Sequence, residues 1–311
     1  MSGRPTLDEL FEHRLTLPDV VARERLARLI GLDEHKARLS KILALLVHPA
    51  GLAAWAKKHH GGAEGLLDFV LRRPPLVVLA GDVGTGKTEL AETIGDAVAR
   101  EVGIEITLFP MSLSTRGQGR VGEMTRLLST AFEYVVEEAA KLKASSGKAR
   151  GAVILLIDEA DALAQSREAA QMHHEDRAGV NALIRGIDRI ANSCLPAVVV
   201  MCTNRLLALD PAVRRRAADI LTFERPNETQ RHTLLQSSLG ALGFSARQIH
   251  ALVEITGARA GRSYGFTFSD LTQRLLPAIV LDAYPNSPIE PSRALEIAKT
   301  MSPTPPFQEG V

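Results

Sequence analysis

The stretch Gly-Asp-Val-Gly-Thr-Gly-Lys-Thr at residues 81–88 constrains this chain more than any other. It fits the spacing G-x-x-x-x-G-K-[S/T], which carries its meaning only between a strand and a helix. That setting is present: Leu76–Ala80 is a short apolar run that reads as a strand, and Thr88–Val102 reads as a helix. Glycines let the backbone wrap closely round phosphates with its N–H groups turned inward, and the start of the helix adds partial positive charge. Gly81, Asp82, Val83, Gly84, Thr85 and Gly86 then form a phosphate cradle. Lys87 reaches the β- and γ-phosphates of ATP, and Thr88 holds Mg²⁺.

The second half of such a site is Ile154–Asp161, ILLIDEAD. Its aliphatic residues drive a strand into the middle of a sheet, and Asp158 lands at the carboxyl end, where ligands of open α/β sheets bind. Asp158 is the expected support for Mg²⁺, and Glu159 the residue that orients and activates the attacking water.

Further strands are expected at Ile104–Phe109, Ala197–Cys202 and Ile220–Phe223, with helical faces between them marked by Leu127, Leu128, Ala131 and Val135, and by Val180, Leu183, Ile184 and Ile187. Strands alternating with helices predict a five-stranded parallel α/β sheet covered on both sides. After Pro226 helical runs follow one another. The expected division is an N-terminal arm and helix (1–25), a large α/β domain (26–225), a small helical lid domain (226–299) and a proline-rich, disordered tail (300–311).

Composition excludes several classes. Lys+Arg 37 against Asp+Glu 36 leaves no basic field to hold nucleic acid, and aromatics at 4% are too few for base-stacking platforms. Direct nucleic-acid binding is therefore not expected. No apolar run approaches the ~20 residues of a membrane span. With two cysteines, Cys194 and Cys202, and no leader-like N-terminus, a reducing cytoplasm is the expected compartment. The cluster His173–Asp176 reads as a solvated loop rather than a metal site.

The ordered set IGLDEHKARL, GDVGTGKT, ILLIDEAD, MCTN and LDPAVRRR resembles the AAA+ ATPase module, from about Ile30 to Tyr284. The resemblance implies a P-loop NTPase fold with a C-terminal helical domain and ATP hydrolysis. It also implies that Ile30 and Gly31 pack near adenine and that Asn204 senses the γ-phosphate. An arginine finger would come from a neighbouring subunit, with Arg216 the first candidate and Arg215 the second. The pieces VNALIRGID, RAADILTFERP and LPAIVLDAY further resemble the pachytene-checkpoint type of AAA+ remodeller. Those proteins are hexamers that partly unfold HORMA-domain adaptors, and bacterial relatives act beside cyclic-oligonucleotide synthases in antiphage defence. The implied function is a homo-hexameric ATPase that pulls a HORMA-like protein through a central pore. Other AAA+ remodellers, such as a rubisco-activase-like protein, and a DNA-linked loader ATPase are the alternatives.

The chain departs from that pattern in three places. The N-terminal adaptor-binding domain of the eukaryotic members is not expected in this chain. The pore loop GQGRVGEM carries Arg120 and Val121 where an aromatic is usual. GFTFSDL places Ser269 where a second-sensor arginine is expected, with Arg274 or Arg262 as substitutes.

Overall fold

The computed structural model describes residues 6–48, 50–62, 64–113, 122–144, 149–163 and 174–307. The chain separates into two compact units. The first comprises Met1–Ala27, Glu34–Ala80 and Thr88–Thr222, and the second Arg28–Asp33, Gly81–Lys87 and Phe223–Val311.

The first unit is built on a sheet of six strands among the described residues: β1 (Leu15–Leu17), β2 (Leu76–Gly81), β3 (Glu105–Ser112), β4 (Gly151–Asp158), β5 (Ala197–Thr203) and β6 (Asp219–Phe223), in the order β1-β3-β4-β5-β2-β6. The aliphatic runs of β2, β4 and β5 are buried along their length, as expected of strands covered on both faces. β2 pairs in parallel with β5, β5 with β4, and β4 with β3. All five expected strands are present, and β2, β3, β4 and β5 pair in parallel as expected. The sixth, β1, adds to β3 as an antiparallel edge. Three residues are too few to show an alternating pattern, which is why the N-terminal arm does not read as a strand.

The helices before and around the sheet are α1 (Leu7–Leu10), α2 (Val20–Arg28), α3 (Asp33–Val47), α4 (Ala50–His60), α5 (Glu64–Leu71), α6 (Lys87–Val102), α7 (Glu123–Leu142), α8 (His174–Asn192) and α9 (Pro211–Arg214). From β2 the chain passes over β5 and β4 to reach β3, then steps back through β4 to β5. With right-handed crossovers, this reversal puts the connecting helices on opposite faces. Leu127, Leu128, Phe132 and Val135 of α7 and Leu183 and Ile187 of α8 share one core with Val78, Phe109, Leu155 and Val199. On the other face α6 lies so close that a Cβ on Gly95 would stand 3.1 Å from Ile154 Cδ1.

The second unit has its own core of Leu234, Leu235, Ile249, Leu252, Phe266, Leu271, Leu275, Ile279 and Ala294. Its helices are α10 (Glu228–Leu239), α11 (Ala246–Thr256), α12 (Leu276–Ala283) and α13 (Pro291–Thr300). Reciprocal side-chain caps, Asn227 with Gln230 and Ser245 with Gln248, start α10 and α11. A π-helical turn over Asp270–Leu275 runs into α12.

Composition assigns the proline-rich end to a disordered tail, but residues 301–307 are placed and anchored. Pro303 is buried, and Thr304 bonds Asp270 through both its amide and its hydroxyl. Proline pre-sets the backbone and leaves little entropy to lose on docking. Of the two cysteines, Cys202 is buried in β5, while Cys194 is exposed in a turn at φ +46°. Among the described residues no single helix is long and apolar enough to cross a membrane.

Candidate active site

The carboxyl ends of the strands place one group of candidate residues, within the first unit. Register sets Ala80 opposite Thr203, Ile157 opposite Met201, and Ser112 opposite Asp158. Asp158 is the last residue of β4 and accepts a hydrogen bond from the Glu159 amide at 2.8 Å. Glu159 sits at φ +53°, a left-handed conformation that a glutamate adopts at a cost on the order of 1 kcal/mol. That kink turns its exposed carboxylate back across the strand ends, where the buried Ser112 hydroxyl donates to Oε2 at 2.7 Å.

A second polar group lies one strand along. Asp161 is buried and accepts from the Thr203 hydroxyl, from the Asn204 amide at 2.8 Å and from Asn204 Nδ2 at 3.0 Å. The Asn204 carboxamide is thereby oriented, with its nitrogen toward Asp161 and its oxygen turned away. Ser112 and Asp161 were not singled out by sequence reasoning. Asp161 belongs to ILLIDEAD, but only the sheet reveals its partners, and nothing local marks Ser112.

The phosphate loop belongs to the second unit, except for Thr88, which opens the first unit's part of α6. Gly84 and Gly86 stand at φ +71° and +94°, conformations that keep successive amides pointing inward and that side chains resist. A Cβ on Gly81 would fall 2.0 Å from the carbonyl oxygen of Phe223. Lys87 is buried, and its Nζ donates to the carbonyls of Gly81 and Asp82 at 2.9 and 2.8 Å, which holds the ammonium over the loop. Thr85 is buried and bonds back to the Asp82 carbonyl at 2.8 Å, while Val83 at the tip is 42% exposed. This cradle of positive-φ glycines and a buried lysine suits a polyphosphate.

The remaining candidates are placed as follows. Ile30 packs on the core of the second unit, and Gly31, at φ +76°, has its carbonyl bonded by Gln230 Nε2 at 2.7 Å. Arg216 forms a two-pronged pair with Asp188, Nε to Oδ1 at 2.8 Å and Nη2 to Oδ2 at 3.0 Å, and that bond raises its pKa further above the ordinary arginine value. Arg215 is exposed. Arg120 and Val121 lie outside the described residues, as does His173. Ser269 donates its amide to the Gly84 carbonyl at 3.1 Å. Arg274 pairs with Asp270 at 2.6 Å. Arg262 donates to the carbonyls of Gly257 and Ile255 and lies over the Phe266 ring, and burial lowers its pKa.

Over nearly its whole length the chain is similar to known proteins. Residues 77–225 match the family described as ATPase family associated with various cellular activities (AAA). CD-NTase-associated protein 6 of Escherichia coli strain MS 115-1 is 67% identical over 99% of both chains, and the protein of the same name from strain KTE188 is 39% identical over 95% of this chain and 97% of its own. A chain in the structure of the E. coli MS115-1 HORMA:CdnC:Trip13 complex superimposes with a TM-score of 0.91 at 67% identity, covering 98% of this chain and 100% of that one. The structure of Rhizobiales Trip13 superimposes with a TM-score of 0.75 at 58% identity, covering 96% and 100%. The chain therefore belongs to the AAA ATPase family, in the group of CD-NTase-associated protein 6 and bacterial Trip13.

Proposed function

We propose that this protein hydrolyses ATP to ADP and phosphate and uses the energy, as a homo-hexamer in the cytoplasm, to remodel a HORMA-domain protein in antiphage signalling. The observation that carries the partner is the likeness, over nearly the whole of both chains, to a component of a HORMA:CdnC:Trip13 complex. The chemistry rests on the strand-end geometry.

In this reading the loop amides and Lys87 bind the triphosphate. The hydroxyl of Thr88 and the carboxylate of Asp158 are hard oxygen ligands of the kind Mg²⁺ takes together with phosphate. When bound, Mg²⁺ neutralises charge on the β- and γ-phosphates. Glu159 takes the proton from the attacking water. Its bond from Ser112 orients the carboxylate. Asn204, held by Asp161, presents its carboxamide oxygen to the same water. For the arginine finger, Arg216 and then Arg215 are the candidates to reach a neighbouring subunit; Arg216 is paired with Asp188 and Arg215 is exposed. Ile30 and Gly31 flank the adenine. The loop that includes Arg120 and Val121 grips the substrate chain in the pore.

The test is ATP turnover by the purified protein with and without a HORMA-domain protein encoded beside it, together with a conformational readout of that partner. Stimulated turnover and ATP-dependent opening of the partner are expected. Replacing Arg120 and Val121 with glycine should abolish both, with basal turnover near the parental rate. Robust turnover that no HORMA protein alters, alongside stimulation by DNA, would move the protein to the loader class.

A further inference from the structure

The phosphate loop contains a contradiction. Asp82 is its second residue, so a carboxylate stands on a loop built to receive a polyanion. Like charges at close range oppose binding unless something answers them. Arg225 does so within the second unit. Its Nε donates to Asp82 Oδ2 at 2.7 Å, and Nη2 lies 2.6 Å from the same oxygen, with the two side chains only 13% and 18% exposed. The other carboxylate oxygen accepts the amide of Val83 at 2.8 Å, so the direction in which Asp82 points also sets a main-chain amide of the loop.

Arg225 is fixed in its turn by the end of the chain. Its Nη1 donates to the carbonyls of Gly265 and Thr304 at 2.7 and 2.8 Å, and its guanidinium lies 5.0 Å from the centre of the Tyr264 ring. Thr304 is tied to the fully buried Asp270 through its hydroxyl at 2.7 Å and its amide at 3.0 Å. The amide of Phe307 reaches Asp82 Oδ1 at 3.2 Å. Asp270 also bonds the amide of Thr267, whose side chain borders Gly84 on the far shoulder of the loop. Residues 301–307 and the phosphate loop are thus members of one hydrogen-bonded network.

We infer that the segment 301–307 is a strap that positions the phosphate loop for ATP, with Arg225 and Thr304 as positioning residues that cancel and aim Asp82. This rests on the ATP-binding reading above. Arg225 serves as the counter-charge that lets an acidic loop hold phosphate, and Thr304 holds Arg225 in place. Glu159, Ser112 and Asn204 belong to the first unit, whereas Arg225 and Thr304 belong to the second. Their loss should therefore weaken nucleotide binding and leave the chemical step largely alone.

The experiment compares the full-length parent with Arg225→Met, Arg225→Lys, Thr304→Val and Asp82→Asn/Arg225→Met, against Asp82→Asn alone. Fluorescent-nucleotide titration gives affinity, and turnover gives KM and kcat. Breaking a largely buried ion pair on one side should raise KM for ATP about tenfold or more in Arg225→Met, with kcat within about twofold. Arg225→Lys keeps the charge but not the fork and should fall between. Thr304→Val should raise KM by about threefold, the scale of one lost hydrogen bond. In the Asp82→Asn background Arg225→Met should cost far less, because no carboxylate is left to cancel. A parental KM in Arg225→Met, or the same penalty with and without the Asp82 carboxylate, overturns the inference. If Arg225→Met does not fold, Arg225→Lys and Thr304→Val decide, and a parental KM in both overturns it. A parent that binds no ATP refutes the ATP reading instead.

Discussion

The end of β4, in the first unit, and the phosphate loop, in the second, hold their polar groups by different means. Asp158, Glu159 and Asn204 are positioned by strand register: Ser112 is one strand away from Asp158, and Asp161 clasps the residues that end β5. The phosphate loop is shaped by its own glycines and then braced from far down the chain. Arg225 is 143 positions from Asp82, and Phe307 is 225 positions away. A sheet supplies rigid, short-range support, and its price is one strained residue, Glu159 at φ +53°. A loop has no ladder of its own, so its geometry depends on side chains brought to it by packing. The strand ends should therefore govern the rate of the chemical step, and the loop with its braces should govern affinity.

The sharpest break between the two is expected from Lys87→Ala, which removes the ammonium held over the loop. ATP binding should fall below detection in calorimetry, and turnover should vanish with it. A parental affinity would take the nucleotide away from this loop. Glu159→Gln should do the reverse. It keeps shape and hydrogen bonding but cannot accept a proton, so turnover should drop about 10²- to 10⁴-fold while ATP still binds. Retained turnover would falsify the assignment of Glu159 as base.

Ser112→Ala sharpens the comparison at smaller amplitude. Losing one hydrogen bond to the carboxylate should change kcat by about tenfold or less and leave KM unmoved. A shift in KM alone would show that the strand ends and the loop are not separable in this way.

The smallest effect expected is on pH stability. Burial pushes the Asp270 pKa up, but bonds from Thr267, from both donors of Thr304 and from Arg274 outweigh it and hold the carboxyl below its ordinary value. A depressed carboxylate stabilises the fold fully above its unfolded pKa, about 4. That contribution is lost as pH falls through the folded value. Melting curves of the parent and of Asp270→Asn should therefore differ most near neutrality and converge on acidification below about pH 4. A gap that stays constant from pH 7 to about pH 3 would remove Asp270 from the network as a charged member.

Much of the architecture was legible because its signals are contiguous. GDVGTGKT lies between a strand and a helix, and the aliphatic runs of β2, β4 and β5 announce buried parallel strands wherever they fall in the chain. Glu159 follows Asp158 by covalent linkage, so their common position at a strand end needs no tertiary information. β1 was not legible, because three residues carry no period.

What the sequence by itself determined is therefore the sheet's parallel strands, the phosphate loop and the acid pair at the end of β4. Only the tertiary structure decided which groups hold them. Ser112 meets Glu159 because β3 and β4 pair in one register rather than another, and Asp161 meets Thr203 and Asn204 because β5 lies beside β4. Proline-rich composition reads as disorder at residues 301–307, yet Thr304 finds a buried carboxylate and Arg225 finds Asp82. The physical reason is common to all of these. A hydrogen bond between distant residues depends on where packing brings the backbone, and no local propensity encodes that distance.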